Sequence, residues 1–280
     1  MIEIPTASKS SPLVIGATGG SGTRVVARIA RQAGYDLGSH LNGAEDALEF
    51  IPFHDRWINR MLAADDAPLT ARESEDIALQ FRGVLDCHLP RHSEAGQRWG
   101  WKAPRSIYFL PLFHRLYPDV KFIHVLRDGR DMAFSKNQNQ LRQHGSAVLN
   151  WRERWFAAAP VRSIMLWERI NLRAASFGES QLGGNYLAVR FEDLCREPTS
   201  TVARLLKFLE SDLDPQVIAN AEISPPGTLS RWKSEPESIT GKLTAIAERS
   251  LRKFGYLVDT SVEGGRAARV PTCPPVPHRQ

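Results

Sequence analysis

The sequence predicts an α/β fold, a parallel β-sheet with helices on both faces. Three observations predict it. Apolar runs of strand length recur along the chain, at 12–16, 120–126 and 185–191, with a weaker one at 99–102. Stretches with apolar residues at helical spacing alternate with them. At two strand-to-helix junctions the turn carries groups suited to an anion, as the C-terminal edge of an open sheet does.

The first strand, Leu13-Val14-Ile15-Gly16, meets Ala17-Thr18-Gly19-Gly20-Ser21-Gly22-Thr23-Arg24 and a helix over 22–34 closed by Gly34. Glycines let successive N–H groups converge at a helix N-terminus, and such a nest prefers phosphate or sulfate. Ser21 and Thr23 add hydroxyl donors. A nucleotide-triphosphatase loop is excluded, because the position five after Gly16 is Ser21 and no Lys follows. A nicotinamide-dependent reductase stays open as an alternative reading of the glycines. Against it, residues 35–42 give no clean second strand ending on an acid for the ribose.

Helices are expected next over 43–63 and 74–87. Asn42 and Glu45 have N-cap and N3 spacing, so Glu45 reads as a capping-box residue with Asp46 free to face a pocket. The weak strand 99–102 ends on Lys102 and leads into a helix over 106–116. The strand 120–126 ends abruptly on Arg127, followed by a polar turn at Gly129 and a helix over 129–140 that carries Ser135. Arg127 offers a planar fork of donors suited to phosphate, and Ser135 adds one hydrogen bond. The bland alternative is a strand end with an ion pair to Asp128 or Asp131. Further helices are expected over 149–175, 199–210 and 241–254. The long helical stretches 43–98 and 136–180 exceed a minimal crossover and would either wall a pocket above the sheet edge or serve as plain core helices. Trp57, Trp99, Trp101, Trp151, Trp155 and Trp167 lie in or near them, available to stack on an acceptor or to fill the core.

Composition sets the frame. A chain of 280 residues with 24% charged and 42% apolar residues is that of a globular α/β protein, and a formal charge of +5 favours an anionic ligand. No basic run interleaved with aromatics suggests nucleic acid, and no zinc-type spacing or magnesium-binding carboxylate pair suggests a metal. Three scattered cysteines, Cys87, Cys195 and Cys273, argue for a reducing compartment, and the cytoplasm is expected. Residues 1–12 lack the features of a signal peptide, and no apolar stretch approaches membrane-spanning length. Residues 261–280, rich in Gly, Arg and Pro, are expected to be a mobile tail.

In order, these segments resemble the sulfotransferases that use 3′-phosphoadenosine 5′-phosphosulfate (PAPS), in the bacterial branch related to carbohydrate and tyrosylprotein enzymes. The Gly-rich turn resembles the family's 5′-phosphosulfate loop, and Phe122 to Ser135 its 3′-phosphate motif. Trp101-Lys102-Ala103-Pro104-Arg105 is similar to its Lys-x-Pro-Arg segment. Tyr186 to Leu194 with Glu197-Pro198, then Ser230-Arg231-Trp232-Lys233 and Phe254-Gly255-Tyr256, match its fourth strand, closing loop and last helix. The likeness covers residues 12–257.

The resemblance implies a single domain over 1–260, with a P-loop-like parallel sheet and helical insertions forming the substrate pocket. It implies PAPS as co-substrate, 3′-phosphoadenosine 5′-phosphate as product, no metal, and an acceptor that is a small molecule, a glycan or a peptide. Gly19, Gly20, Ser21, Gly22, Thr23 and Arg24 would hold the 5′ end of the nucleotide. Arg127 and Ser135 would hold the 3′-phosphate, with Arg231 and Lys233 reaching over and Trp232 stacked on adenine. Lys102 would stabilise charge on the leaving group, with Asp46 as general base and His40 or His54 as alternatives. One departure stands out: the family's usual Lys or Arg before the loop serine is Gly20 here, so that Arg24 or Lys102 would have to supply the charge. A non-catalytic anion-binding protein is the third reading.

Overall fold

The computed structural model describes residues 11–65, 67–89 and 96–257. Its sheet has four parallel strands, β1 (Leu13–Gly16), β2 (Gly100–Lys102), β3 (Lys121–Leu126) and β4 (Tyr186–Arg190), in the order β2-β1-β3-β4. Each lies within a residue of its expected bounds. Strand β1 reads as an unbroken apolar run because both faces of the sheet are covered there, while β3 carries the buried His124 within its run. All four residues of β1 are buried, and Gly100 in β2 lies where a Cβ would sit 1.9 Å from the Leu13 carbonyl oxygen.

Helix α1 (Thr23–Gln32) packs Val26, Ala27, Ile29 and Ala30 on one face of the sheet. Helices α2 (Phe50–Leu62) and α3 (Ala71–His88) follow as the first excursion, and α4 (Leu110–Leu116) continues a 3₁₀ turn over Pro104–Phe109. Phe50, Phe81, Phe113 and Trp101 form an aromatic core against β2, with Phe50 stacked on Trp101 at 4.7 Å. After β3 come α5 (Gly129–Ala133), α6 (Asn139–Val148), α7 (Trp151–Phe156) and α8 (Ala159–Phe177). The chain closes with α9 (Phe191–Arg196), α10 (Pro198–Phe208), α11 (Pro215–Glu222), α12 (Glu237–Ile246) and α13 (Glu248–Lys253).

Several expected helices are interrupted, among them the one over 241–254, which breaks at Ala247 into α12 and α13. The one over 129–140 breaks after Ala133, where the Gln138 amide donates to the Met132 and Ser135 carbonyls at 2.9 and 2.8 Å and replaces the helical bonds. The one over 149–175 splits after Phe156 and resumes as α8 at Ala159, with Pro160 in its first turn. The one over 43–63 begins only at Phe50. The expected mobile tail lies outside the described residues. No helix among the described residues is long and apolar enough to cross a membrane.

The reductase alternative needs a strand soon after α1. The chain instead makes two isolated bridges among the described residues, Leu41 to Ala47 before the α2–α3 excursion and Asp36 to Trp99 around it. The tryptophans mostly belong to the core: Trp57, Trp99, Trp101 and Trp167 are buried, while Trp151 and Trp155 are exposed on α7.

Candidate active site

A cleft of about 720 Å³ opens at the C-terminal ends of β1, β2 and β3. Each strand delivers one element to it. From β1 comes the glycine turn. Gly20 and Gly22 both have φ 82°, a left-handed conformation that glycine adopts without strain. A Cβ on Gly22 would lie 2.2 Å from Phe191 Cδ2, so glycine is also required there by contact. The Ser21 hydroxyl donates to the Thr18 carbonyl at 2.6 Å and holds the turn shut. Gly22 is the N-cap of α1 and brings no side chain, so no side-chain oxygen caps the first-turn amides at the cleft.

From β2 comes Lys102, with its side chain 2% exposed. Its ammonium is paired with Asp46 and donates to the Ala44 carbonyl at 2.6 Å. Burial pushes the Lys102 pKa down, against the pull of Asp46. The segment that presents Asp46 is a turn, which corrects the capping-box reading. The Asn42 carboxamide oxygen accepts from the Ala44 and Asp46 amides at 2.8 and 2.9 Å, and its NH₂ donates to Asp46 at 3.1 Å. Glu45 has φ 64° and points away, its carboxylate bridging Arg28 and Arg31 of α1 at 2.8 Å each. Arg24, on the first turn of α1, donates to the Gly43 carbonyl at 3.4 Å and lines the cleft. It brings a cation close to the turn in which Gly20 has none.

From β3 comes Arg127, 5% exposed, its guanidinium 5.6 Å over the Phe191 ring. Nη2 donates to Thr228 O and Oγ1 at 2.6 and 3.1 Å and to Asp131 at 3.3 Å, while Nη1 reaches Gly20 O at 3.4 Å. Nε is buried with no partner among the described residues. Asp131 also accepts from the amides of Ser230 and Trp232 at 2.8 and 3.1 Å, which ties the closing loop to the strand end.

The cleft thus gathers Gly19 to Arg24, Asp46, Lys102 and Arg127. Ser135, Arg231, Trp232 and Lys233 stand off it. The Ser135 hydroxyl accepts from the Asn137 amide at 3.2 Å, and it is Asn137 that lines the cleft. One face of Trp232 is covered by the Arg130 guanidinium at 3.8 Å. Burial, and then Arg127, push the Arg231 pKa down. His40 is off the cleft altogether, an exposed side chain 3.3 Å from Glu49. His54 does line it, on α2, with its ring stacked on Phe109 at 5.3 Å.

A model of the sulfotransferase family matches residues 12–215. The chain belongs to the sulfotransferase family. It is 25% identical over 174 residues to a Caenorhabditis elegans protein named "Putative protein-tyrosine sulfotransferase", covering 62% of this chain and 61% of that one. It is 32% identical over 108 residues to human carbohydrate sulfotransferase 6, covering 36% of this chain and 27% of that one. It therefore spans less than two thirds of the length of these relatives. The crystal structure of the sulfotransferase STF9 from Mycobacterium avium superposes with a TM-score of 0.54 at 12% identity, covering 88% of this chain and 77% of that one, and so shares the fold.

Two residues of this sulfotransferase cleft have no role in the motif reading, Phe191, although it falls inside the Tyr186–Leu194 segment, and Thr228. Phe191, the first residue of α9, props both Arg127 and Gly22. Thr228, in the loop before the Ser-Arg-Trp-Lys segment, meets Arg127 with its carbonyl and hydroxyl. Neither carries a local signal, because each acts across a gap in sequence. Asp131 had one: its i,i+4 spacing from Arg127 is that of an ion pair.

Proposed function

We propose that this cleft moves a sulfuryl group from PAPS to a hydroxyl or amine of an acceptor. In that reaction the S–O bond to the 5′-phosphate breaks, a bond from sulfur to the acceptor atom forms in line, and the acceptor's proton passes to a base. The observation that carries the reading is that the glycine turn, the Lys102–Asp46 pair and Arg127 open onto one cleft. The uncapped start of α1 with Gly19, Gly20, Ser21, Gly22 and Thr23 suits the phosphosulfate end, with Arg24 as its cation. The Nε of Arg127, without a partner among the described residues, suits a phosphate at the other end, and Ser135, Arg231 and Lys233, which stand off the cleft, are its further expected contacts. Trp232, with Arg130 over its ring at 3.8 Å and the Lys233 ammonium at 5.9 Å, is the expected partner of adenine.

Asp46 and Lys102 act as a pair. Asp46 accepts the acceptor's proton and thereby loses the charge that holds Lys102. The ammonium is released toward the departing oxygen as negative charge grows there, which is where a preorganised cation is most effective. His40 is set aside as the base because its side chain is exposed and outside the cleft.

Calorimetry with adenosine 3′,5′-bisphosphate against NADP tests the reading. The bisphosphate is expected to bind at least about 100-fold more tightly than NADP. Arg127→Ala removes a charge-assisted contact of about 1.5–3 kcal/mol and is expected to weaken it about 10- to 150-fold. Equal affinity for the two nucleotides, or a variant that binds like the parent, refutes it.

A further inference from the structure

The acceptor side of the cleft differs in chemistry from the nucleotide side. Its wall is made by α2, by the 3₁₀ turn after β2, and by the start of α6. Among the described residues the only Phe, Tyr or Trp along the cleft is Phe191, and that ring lies beneath Arg127. The one cation of this wall, Arg105, is already paired with Asp55 and donates to the Gln143 side chain at 3.4 Å. What remains is aliphatic at Ile51, Ala103 and Pro104, and neutral and polar elsewhere. The NH₂ groups of Asn137, Asn139 and Gln143 donate to no described protein group.

His54 adds a fixed point to this wall. It is 1% exposed, yet its Nε2 has no hydrogen-bond partner among the described residues. Leaving such a buried group unpaired is costly, so a partner on the ligand is the simplest way to satisfy it. Burial first, then Arg105 and His144, push its pKa well below 6.5, and the ring is neutral. A hydroxyl is the partner that suits either tautomer of a neutral imidazole, since it both donates and accepts.

We infer that the acceptor is a neutral, polyhydroxylated, sugar-like molecule, and that His54 is a specificity residue that hydrogen-bonds one of its hydroxyls. A phenol would find no ring to pack on, and an acidic peptide no unpaired cation on this wall. The inference rests on the proposed sulfuryl transfer, and its test separates the two. Bisphosphate calorimetry first establishes the nucleotide site. Transfer of labelled sulfate from PAPS is then measured to chitotriose, tyramine and 4-nitrophenol. The expected result is a kcat/KM for chitotriose at least tenfold above either phenol. His54→Phe should raise KM for chitotriose about tenfold while leaving bisphosphate affinity within twofold, and His54→Gln should recover part of the loss. Preference for a phenol, transfer to none of the three by a protein that binds bisphosphate, or an unchanged KM in His54→Phe overturns the inference and leaves the nucleotide reading standing. Failure to bind bisphosphate overturns both.

Discussion

Replacing Lys102 with Met isolates the pair at the centre of the proposed chemistry. Met keeps the volume of the side chain but removes the ammonium, and with it the contacts to Asp46 and the Ala44 carbonyl. Removing one partner of a buried ion pair costs about 3–5 kcal/mol when the other charge is fully enclosed. Asp46 keeps 22% of its side chain exposed and retains the Asn42 amide at 3.1 Å, which softens the penalty to about 2–3 kcal/mol. Urea unfolding followed by tryptophan fluorescence reads the loss directly. Lys102→Met/Asp46→Asn removes the stranded carboxylate and is expected to recover at least about 1 kcal/mol, within the coupling usual for groups in contact. The nucleotide site should stay intact, with bisphosphate affinity within threefold of the parent, while sulfuryl transfer falls about 10²- to 10³-fold. A single variant within about 0.5 kcal/mol of the parent, or turnover within tenfold of it, refutes the reasoning.

Two further outcomes follow from the geometry. Gly22→Ala places a non-glycine residue at φ 82° and a methyl 2.2 Å from Phe191 Cδ2. The left-handed conformation alone costs about 1–2 kcal/mol, so melting should drop by about 2–8 °C, and a variant that melts with the parent contradicts the contact. His124, buried between Asn171 and Tyr186, has its pKa pushed down to about 4, chiefly by burial. Between pH 6.5 and 4 the unfolded chain takes up a proton that the native imidazole refuses, so stability falls with pH by about 3 kcal/mol from this group. His124→Gln should flatten that slope, and parallel stability–pH curves for the two proteins would show that His124 is not its source.

The strands were legible because a sheet covered on both faces demands continuous apolar runs, and β1 and β4 have them, as β3 does apart from His124. Of the residues singled out in the sequence, Lys102 and Arg127 stand at strand ends as expected, and the glycine turn sits between them in the sheet. The acidic segment after α1 was misread in one respect. Asn42 and Glu45 have capping-box letters, but Arg28 and Arg31 recruit Glu45 across the turn, and no local window contains that competition. The tryptophans left two uses open, and burying a large ring in the core, the commoner use of the residue, decided four of the six. His40 and His54 look alike in sequence. Only the packing of α2 turns one of them into the cleft.

The order β2-β1-β3 fixes more than topology. Lys102 and Ile123 are the register partners of Ile15 on its two sides, so they lie two ladder widths apart, about 10 Å, and Arg127 stands four residues beyond Ile123. Main-chain hydrogen bonding sets that gauge. Side-chain substitution can blunt either jaw of the calliper, but it cannot reset the opening.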